Sequence, residues 1–290
     1  MVFRRQYIFF FGFALAFGCV VPTIRAASAC VWKVTATDGK VLYLGGSFHV
    51  LRQSDYPLPA AYDRAFNASN RLAFEVKPRD LDRSSDIMDR AGKYPRNDSL
   101  KNHVDPRTYD YLKRFFNLFG ISEAVFSRYR AWYLADILGS SSAPEIKFEF
   151  GVERFLQRRA ERASKPIVGL ESAREHVEVY SGLSDRGSEA VLLITLIPAD
   201  KSSPDFGRQV TVWRKGDADA LTSSVRRAYR DFPGMAHRLL DQRNQRWMPR
   251  IEEYLRSGKV YFVVAGAAHM GETTGVPNLL RERGYKVEQL

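Results

Sequence analysis

Apolar positions along this chain follow two rhythms. Near both ends they come as short blocks rich in β-branched and aromatic residues, and between the ends they recur every three or four positions. The first rhythm predicts strands and the second amphipathic helices. Val31–Thr35 reads as a strand, Thr37-Asp38-Gly39-Lys40 as a tight hairpin turn, and residues 41–44 as the returning strand. A helix is expected over residues 59–68, with Ala61 and Phe66 on its apolar face, then a strand over 71–76 carrying Glu75 near its end. Residues 77–105 are polar and lack clear periodicity, which predicts a surface excursion or a mobile lid.

Helical spacing dominates the middle. Helices are expected over residues 106–118, opened by Pro106 and closed by Gly120, and over 130–138 and 152–163, with a loop at 140–144. Residues 165–170 read as a strand ending at Glu171, followed by two or three helices up to residue 213. Asp217 caps the next helix, and residues 235–256 form one long or broken helix in which Pro249 predicts a kink or restart. A strand at 260–265, a helix after Pro277 and a last strand at 285–287 complete the chain. The pattern predicts a mixed α/β (α+β) fold, with one sheet built from the N- and C-terminal thirds and a large helical insertion between them.

The first residues have a different character. Arg4 and Arg5 precede a nearly uncharged apolar run over residues 8–21, and Ala27-Ser28-Ala29 or Ile24-Arg25-Ala26 supplies small residues for cleavage. This is the layout of a secretory signal over residues 1–29, leaving residues 30–290 as a single domain. The run is short for a membrane span. The reading is export to the periplasm or medium, with an uncleaved N-terminal membrane anchor, or lipid attachment at Cys19, as alternatives. Cys19 and Cys30 are the two cysteines, so no disulfide is expected inside the folded body.

The formal charge of +11 raises the question of nucleic acid. Three of the positive charges, Arg4, Arg5 and Arg25, lie in the export segment, and the rest are interleaved with acids. No RNA-binding or zinc-finger motif is present, so the basic balance points to an acidic polysaccharide or a membrane surface, not to nucleic acid.

Two segments near opposite ends resemble each other. Leu44-Gly45-Gly46-Ser47-Phe48-His49 and Val264-Ala265-Gly266-Ala267-Ala268-His269 are each the end of a β-prone run that stops at small residues and presents a histidine in Gly-x-x-His spacing. A strand ending in glycine lets the backbone approach a ligand, which makes Gly46 and Gly266 candidate substrate-binding positions. His49 and His269 could converge on one divalent metal, with zinc and iron among the ions that suit imidazoles, and carboxylates or water must complete the ligand set. Glu75 is the first supplementary group, as metal ligand or general base; paired with Arg71 or Lys77 it would be structural. Glu171 is a weaker parallel. Arg243 and Asn244 could clamp a substrate carboxylate or an oxyanion, although in isolation their segment reads as a solvated helix face. His103, His176 and His237 have no partner spacing and read as structural or exposed.

The ordered set of motifs resembles the TraB/GumN family, which includes the Tiki proteins. The resemblance runs through Cys30-Val31-Trp32-Lys33-Val34, the first Gly-x-x-His, Phe74-Glu75-Val76, Gly151-Val152-Glu153-Arg154, Lys165-Pro166-Ile167-Val168-Gly169-Leu170-Glu171, Arg243-Asn244, the second Gly-x-x-His and Gly284-Tyr285-Lys286-Val287. It implies an α/β fold with both histidines and the glutamate at one site. Tiki members are metal-dependent proteases using manganese or cobalt, and GumN members are linked to exopolysaccharide production. This chain departs from the pattern at Ser47, Phe48, Ala268, Lys77 and Gln242; the last two replace acids, which puts full activity in question. The expectation is an exported metal-dependent hydrolase of peptidase type, with His49, His269 and Glu75 on the metal, Glu75, Arg243 and Asn244 in catalysis, and peptide or protein as substrate. The rival is a non-catalytic periplasmic accessory protein that binds polysaccharide or a secretion or biosynthesis partner.

Overall fold

The computed structural model of the chain describes residues 28–139, 145–196 and 206–290, without the side chains of residues 81–85. Most of the expected export segment and the expected loop at 140–144 lie outside the described residues. One six-stranded sheet organises the rest: β1 (Val31–Thr35), β2 (Val41–Ser47), β3 (Arg71–Val76), β4 (Ile167–Glu171), β5 (Tyr261–Gly266) and β6 (Lys286–Gln289), in the order β4-β3-β5-β2-β1-β6. β2, β5, β3 and β4 run parallel, while β1 is antiparallel to both β2 and β6. The fold is mixed α/β as the pattern implied, with five strands from the terminal thirds and β4 added at the edge from the middle.

β5 lies between β2 and β3, and every residue from Tyr261 to Ala265 is buried. A central parallel strand covered on both faces requires such an unbroken apolar run. Its pairing with β2 sets Gly46 against Ala265 and Ser47 against Gly266. The two Gly-x-x-His segments therefore leave neighbouring strands at the same carboxyl edge, offset by one residue. β3 and β4 end there too, bringing Glu75 and Glu171 to that edge.

Two hydrophobic clusters hold the molecule together. The larger includes the sheet residues Leu44, Leu72, Phe262 and Val264 with Trp213, Trp247 and Ile251. The smaller lies within the helical insertion and gathers Leu100, Tyr109, Leu112, Phe116, Leu134 and Leu192.

Two expectations need correction. Residues 77–105 are not an irregular excursion: Pro78–Ala91 is a helix, packed against helix Ala173–Ser181. Pro78 occupies the first turn after an extended Lys77, where its missing N–H costs nothing. The mostly polar composition concealed the helix, whose few apolar residues lie on one side against the neighbouring helix. Pro249 does not break its helix either. Gln242–Arg256 is continuous, preceded by a π-helical stretch at His237–Asp241. Pro249 and Gln245 both lie on the exposed face, so water can serve the carbonyl that proline leaves without a donor.

Candidate functional site

β5 ends at Gly266, and the single turn Ala267–His269 that follows folds His269 back beneath the sheet edge, where its side chain is buried. Helix Gln242–Arg256 brings Asn244 against it. His269 Nδ1 lies 2.7 Å from Asn244 Oδ1, and Asn244 Nδ2 donates to the carbonyls of Thr274 at 2.8 Å and His269 at 3.3 Å. Those two carbonyls fix the amide's orientation, so Nδ1 of His269 carries the proton and Nε2 presents a lone pair. Burial pushes the pKa of His269 down to about 3, which keeps the ring neutral.

His49 reaches the same edge differently. Phe48 turns inward onto Phe206 and Trp213, leaving His49 on the outer side with a largely exposed imidazole. The segment is pinned by Val152 N–H to Phe48 O at 3.0 Å and by reciprocal backbone bonds between Leu51 and Lys147. That pinning sets Glu153, at the start of helix Val152–Arg162, against His49, with 2.8 Å from Nδ1 to Oε1. Ser47 donates to the same carboxylate oxygen. The Glu153 charge pushes the pKa of His49 up to about 9.

Glu75 completes the group. Its Oε1 accepts the Gly266 N–H at 2.7 Å and stands 3.9 Å from His269 Nε2. Its Oε2 accepts from Arg243 Nη2, which also reaches Glu171 Oε1 at 2.7 Å. Arg243 Nε donates to Glu171 at 3.3 Å, and Nη1 lies 3.2 Å from His269 Nε2. Burial works against the Glu75 carboxylate, but the Arg243 guanidinium, aided by the His49 charge and the Gly266 N–H, holds its pKa well below the carboxylate range. Glu171 receives further hydrogen bonds from Trp247 Nε1 at 3.0 Å and from His176, whose Nδ1 lies 2.8 Å away.

Gly266 is the point of convergence. A Cβ there would stand 3.4 Å from Glu75 Oε1, 3.5 Å from His269 Cδ2 and 3.6 Å from His49 Nε2. Only a residue without a side chain leaves that space to a ligand. Groups of the types that bind divalent ions border this small volume: the Glu75 carboxylate oxygen, the Cδ2 edge of the buried His269 ring, whose Nε2 faces Arg243, and Nε2 of the more accessible His49. The residues fit such an ion in type, while the tightest carboxylate–imidazole group among the described residues is Glu75, Glu171 and His176, whose ligand atoms all lie within 4.8 Å of one another. The volume opens into a cleft of about 480 Å³ bordered by His49, Glu75, Glu153, His176, Tyr180 and Arg243, among others.

The structure thus brings together His49, His269, Glu75, Arg243, Asn244 and Gly266. Gly46 is elsewhere: its carbonyl accepts from Tyr62 and from Trp213 Nε1 at 2.8 Å, and a Cβ there would meet Ala267 Cα at 3.0 Å. It is a close-packing glycine inside the core, not a wall of the cleft. Arg243 and Asn244 are buried, contrary to the solvated face their segment suggests in isolation. Glu75 pairs with Arg243 across the fold, not with Arg71 or Lys77 on its own strand. Sequence reasoning passed over Glu153 and His176. Glu153 had a signal, the Gly151-Val152-Glu153 segment, whereas His176 had only its place one turn beyond Glu171. His103 and His237 pair with acids away from the cleft.

The class is a mixed α/β protein with a buried glutamate–arginine–histidine site at the carboxyl edge of its sheet. The chain matches the TraB/PrgY/gumN family over residues 30–289 and belongs to it. Among its relatives is Uncharacterized protein YbaP of Escherichia coli (strain K12), 22% identical over 250 residues that cover 86% of this chain and 90% of the relative. The protein of the same name from Shigella flexneri has the same identity and coverage. No solved structure matches the chain.

Proposed function

We propose that the protein is an exported, divalent-metal-dependent hydrolase acting on peptide bonds. The observation that carries this is the convergence of His49 Nε2, His269 and Glu75 Oε1 on the space that Gly266 leaves open. His269, held neutral by burial and fixed by Asn244, would offer its Nε2 without first losing a proton once Arg243 Nη1, 3.2 Å away, moves aside. Glu153 holds His49 through Nδ1, which leaves Nε2 facing the site. Arg243 keeps Glu75 ionised and aimed, and it borders the cleft. A divalent ion held by these donors would supply Lewis-acid polarisation of a substrate carbonyl and acidify a water. His176 and Tyr180 on the far wall would contact the substrate on either side of the reacting bond. Two imidazoles and a carboxylate suit manganese, cobalt, zinc or iron, and the family resemblance favours the first two.

The test is elemental analysis of the purified protein beside the His49→Ala/His269→Ala double variant, followed by a peptide-hydrolysis screen in the metal found. Near-stoichiometric metal lost in the variant, with hydrolysis lost alongside it, supports the reading. Absence of metal from the wild type even after reconstitution with each of the four ions would overturn it. That result would favour the non-catalytic accessory role, read out by salt-sensitive binding to acidic polysaccharide that survives loss of both histidines.

A further inference from the structure

Seven large apolar side chains are marked by high exposure among the described residues, and five of them fall in one short stretch: Tyr111, Leu118, Phe119, Ile121 and Val125. Leu118 is 82% exposed and Phe119 66%, far beyond the scattered apolar exposure of an ordinary surface. The cause lies in helix Pro106–Leu118. Tyr109, Leu112 and Phe116 point into the smaller core. Tyr111, Phe115 and Phe119 form a ladder on another face, with ring centroids 6.2 and 5.2 Å apart. Gly120, at φ +68°, then reverses the chain, and the Ile121 N–H closes onto Phe116 O at 3.0 Å. Leu118, Phe119 and Ile121 are left at a projecting helix end.

Basic residues outnumber acids along this helix and its tip, with Lys113 and Arg114 nearest the projecting end and Arg107 at the far end. Arg107, Lys113 and Arg114 are exposed on the same helix against one exposed acid, Asp110, and Arg128 is exposed just beyond Val125. Arg107 touches Asp105, and Lys113 lies 3.4 Å from Glu123, but exposed pairs of this kind are weak and yield readily to another anion. An apolar projection with Lys113 and Arg114 on the helix beside it and Arg128 just beyond matches the chemistry of an anionic bilayer surface: acyl chains receive the apolar tip and headgroups meet the cations. A second copy of the chain is a poor fit, because each copy keeps a net positive charge even without Arg4, Arg5 and Arg25 of the export segment. No described helix is long and apolar enough to cross a membrane. We propose that the Leu118–Phe119–Ile121 tip is a shallow membrane-docking surface selective for anionic phospholipid.

The test places a polarity-sensitive dye at Leu118→Cys in a Cys19→Ser background. Cys30 is fully buried and stays unlabelled. Because the dye reports on the tip itself, the result does not depend on whether the N-terminal segment is retained. Vesicles of phosphatidylcholine with phosphatidylglycerol should shift the emission to the blue, and lipid-borne nitroxides near the headgroups should quench it. Phosphatidylcholine alone should act weakly, and salt should weaken the response. Adding Phe119→Asp and Ile121→Asp should raise the lipid concentration needed by about tenfold or more. The same dye at Lys259→Cys should not respond. No shift on anionic vesicles, or an equal response at residue 259, would overturn the proposal. A blue shift that appears without vesicles as protein concentration rises would also overturn it, assigning the tip to self-association.

Discussion

Replacing Arg243 with leucine tests the electrostatic core of the site. The guanidinium bridges Glu75 and Glu171, all three side chains being at most 10% exposed. Donor oxygens of the two glutamates lie within 4.8 Å of one another. Leucine keeps apolar contact with Trp247 but removes every positive group between them. Two carboxylates at that separation repel by about 3–4 kcal/mol at an effective dielectric constant near 20. Breaking a buried pair by removing one partner costs about 3–5 kcal/mol, so both routes reach the same range. Urea unfolding at about pH 8, followed by far-UV circular dichroism, should show the midpoint falling accordingly with an unchanged slope. Adding Glu171→Gln should recover much of the loss. The double variant should then be more stable than the sum of the single effects by about 2 kcal/mol or more. A loss below about 1 kcal/mol, or additivity within about 0.5 kcal/mol, would refute the view that Arg243 is there to hold two ionised carboxylates together.

Other outcomes follow from the same geometry. Gly151→Ala would put a Cβ 2.1 Å from the His49 carbonyl oxygen; it should displace the His49 segment and reduce metal content and any hydrolysis, while circular dichroism still reports a folded chain. Asn244→Leu frees the His269 ring from its orienting partner and should weaken metal binding by about 10–100-fold, measured by competition with a chelating dye. His103 stacks on Tyr94 between Asp98 and Asp185, and although burial lowers its pKa, the two carboxylates outweigh burial and leave it raised. The stability from that contact is complete below the unfolded imidazole's pKa of about 6.5 and is lost as pH climbs through the raised folded value, so wild-type urea midpoints should fall over that range more than those of His103→Gln. Ala29 is buried and donates to Leu290 O at 2.8 Å; N-terminal sequencing of exported protein should therefore find Ala27 first, after cleavage at Ala26, and a chain beginning at Cys30 would contradict this.

Much of the architecture was legible because it is written in local periodicity. β2 and β5 are unbroken apolar runs, and their shared ending identified both histidines before any contact was known. Glu75 could be singled out because a carboxylate beside Phe74 and Val76 needs a partner. That partner could not be read: Arg243 lies 168 positions away, on a helix whose polar letters resemble a solvated face. Burial of a charged residue is decided by what packs against it, and the sequence around Arg243 carries no sign of β3 and β4. Helix Pro78–Ala91 was missed for a related reason, since its partner helix lies far along the chain. Gly46 was misplaced because glycine marks any close approach of backbone, whether to a ligand or, as here, to Ala267.

The π-helical stretch at His237–Asp241 sits immediately upstream of Arg243, Asn244 and Trp247. An α-helix turns by about 100° per residue, and a π-turn accommodates one residue more than an α-turn. The stretch therefore acts as a phase adjuster between two helical segments. Losing its extra residue would leave an ordinary α-helix with both faces still in phase, whereas one residue more than the stretch can absorb would rotate the downstream face by roughly a quarter turn, carrying the guanidinium away from its carboxylates. A one-residue deletion should thus be tolerated here with the site intact, and a homologue shorter by one residue at this point can keep the same chemistry on an unbroken α-helix.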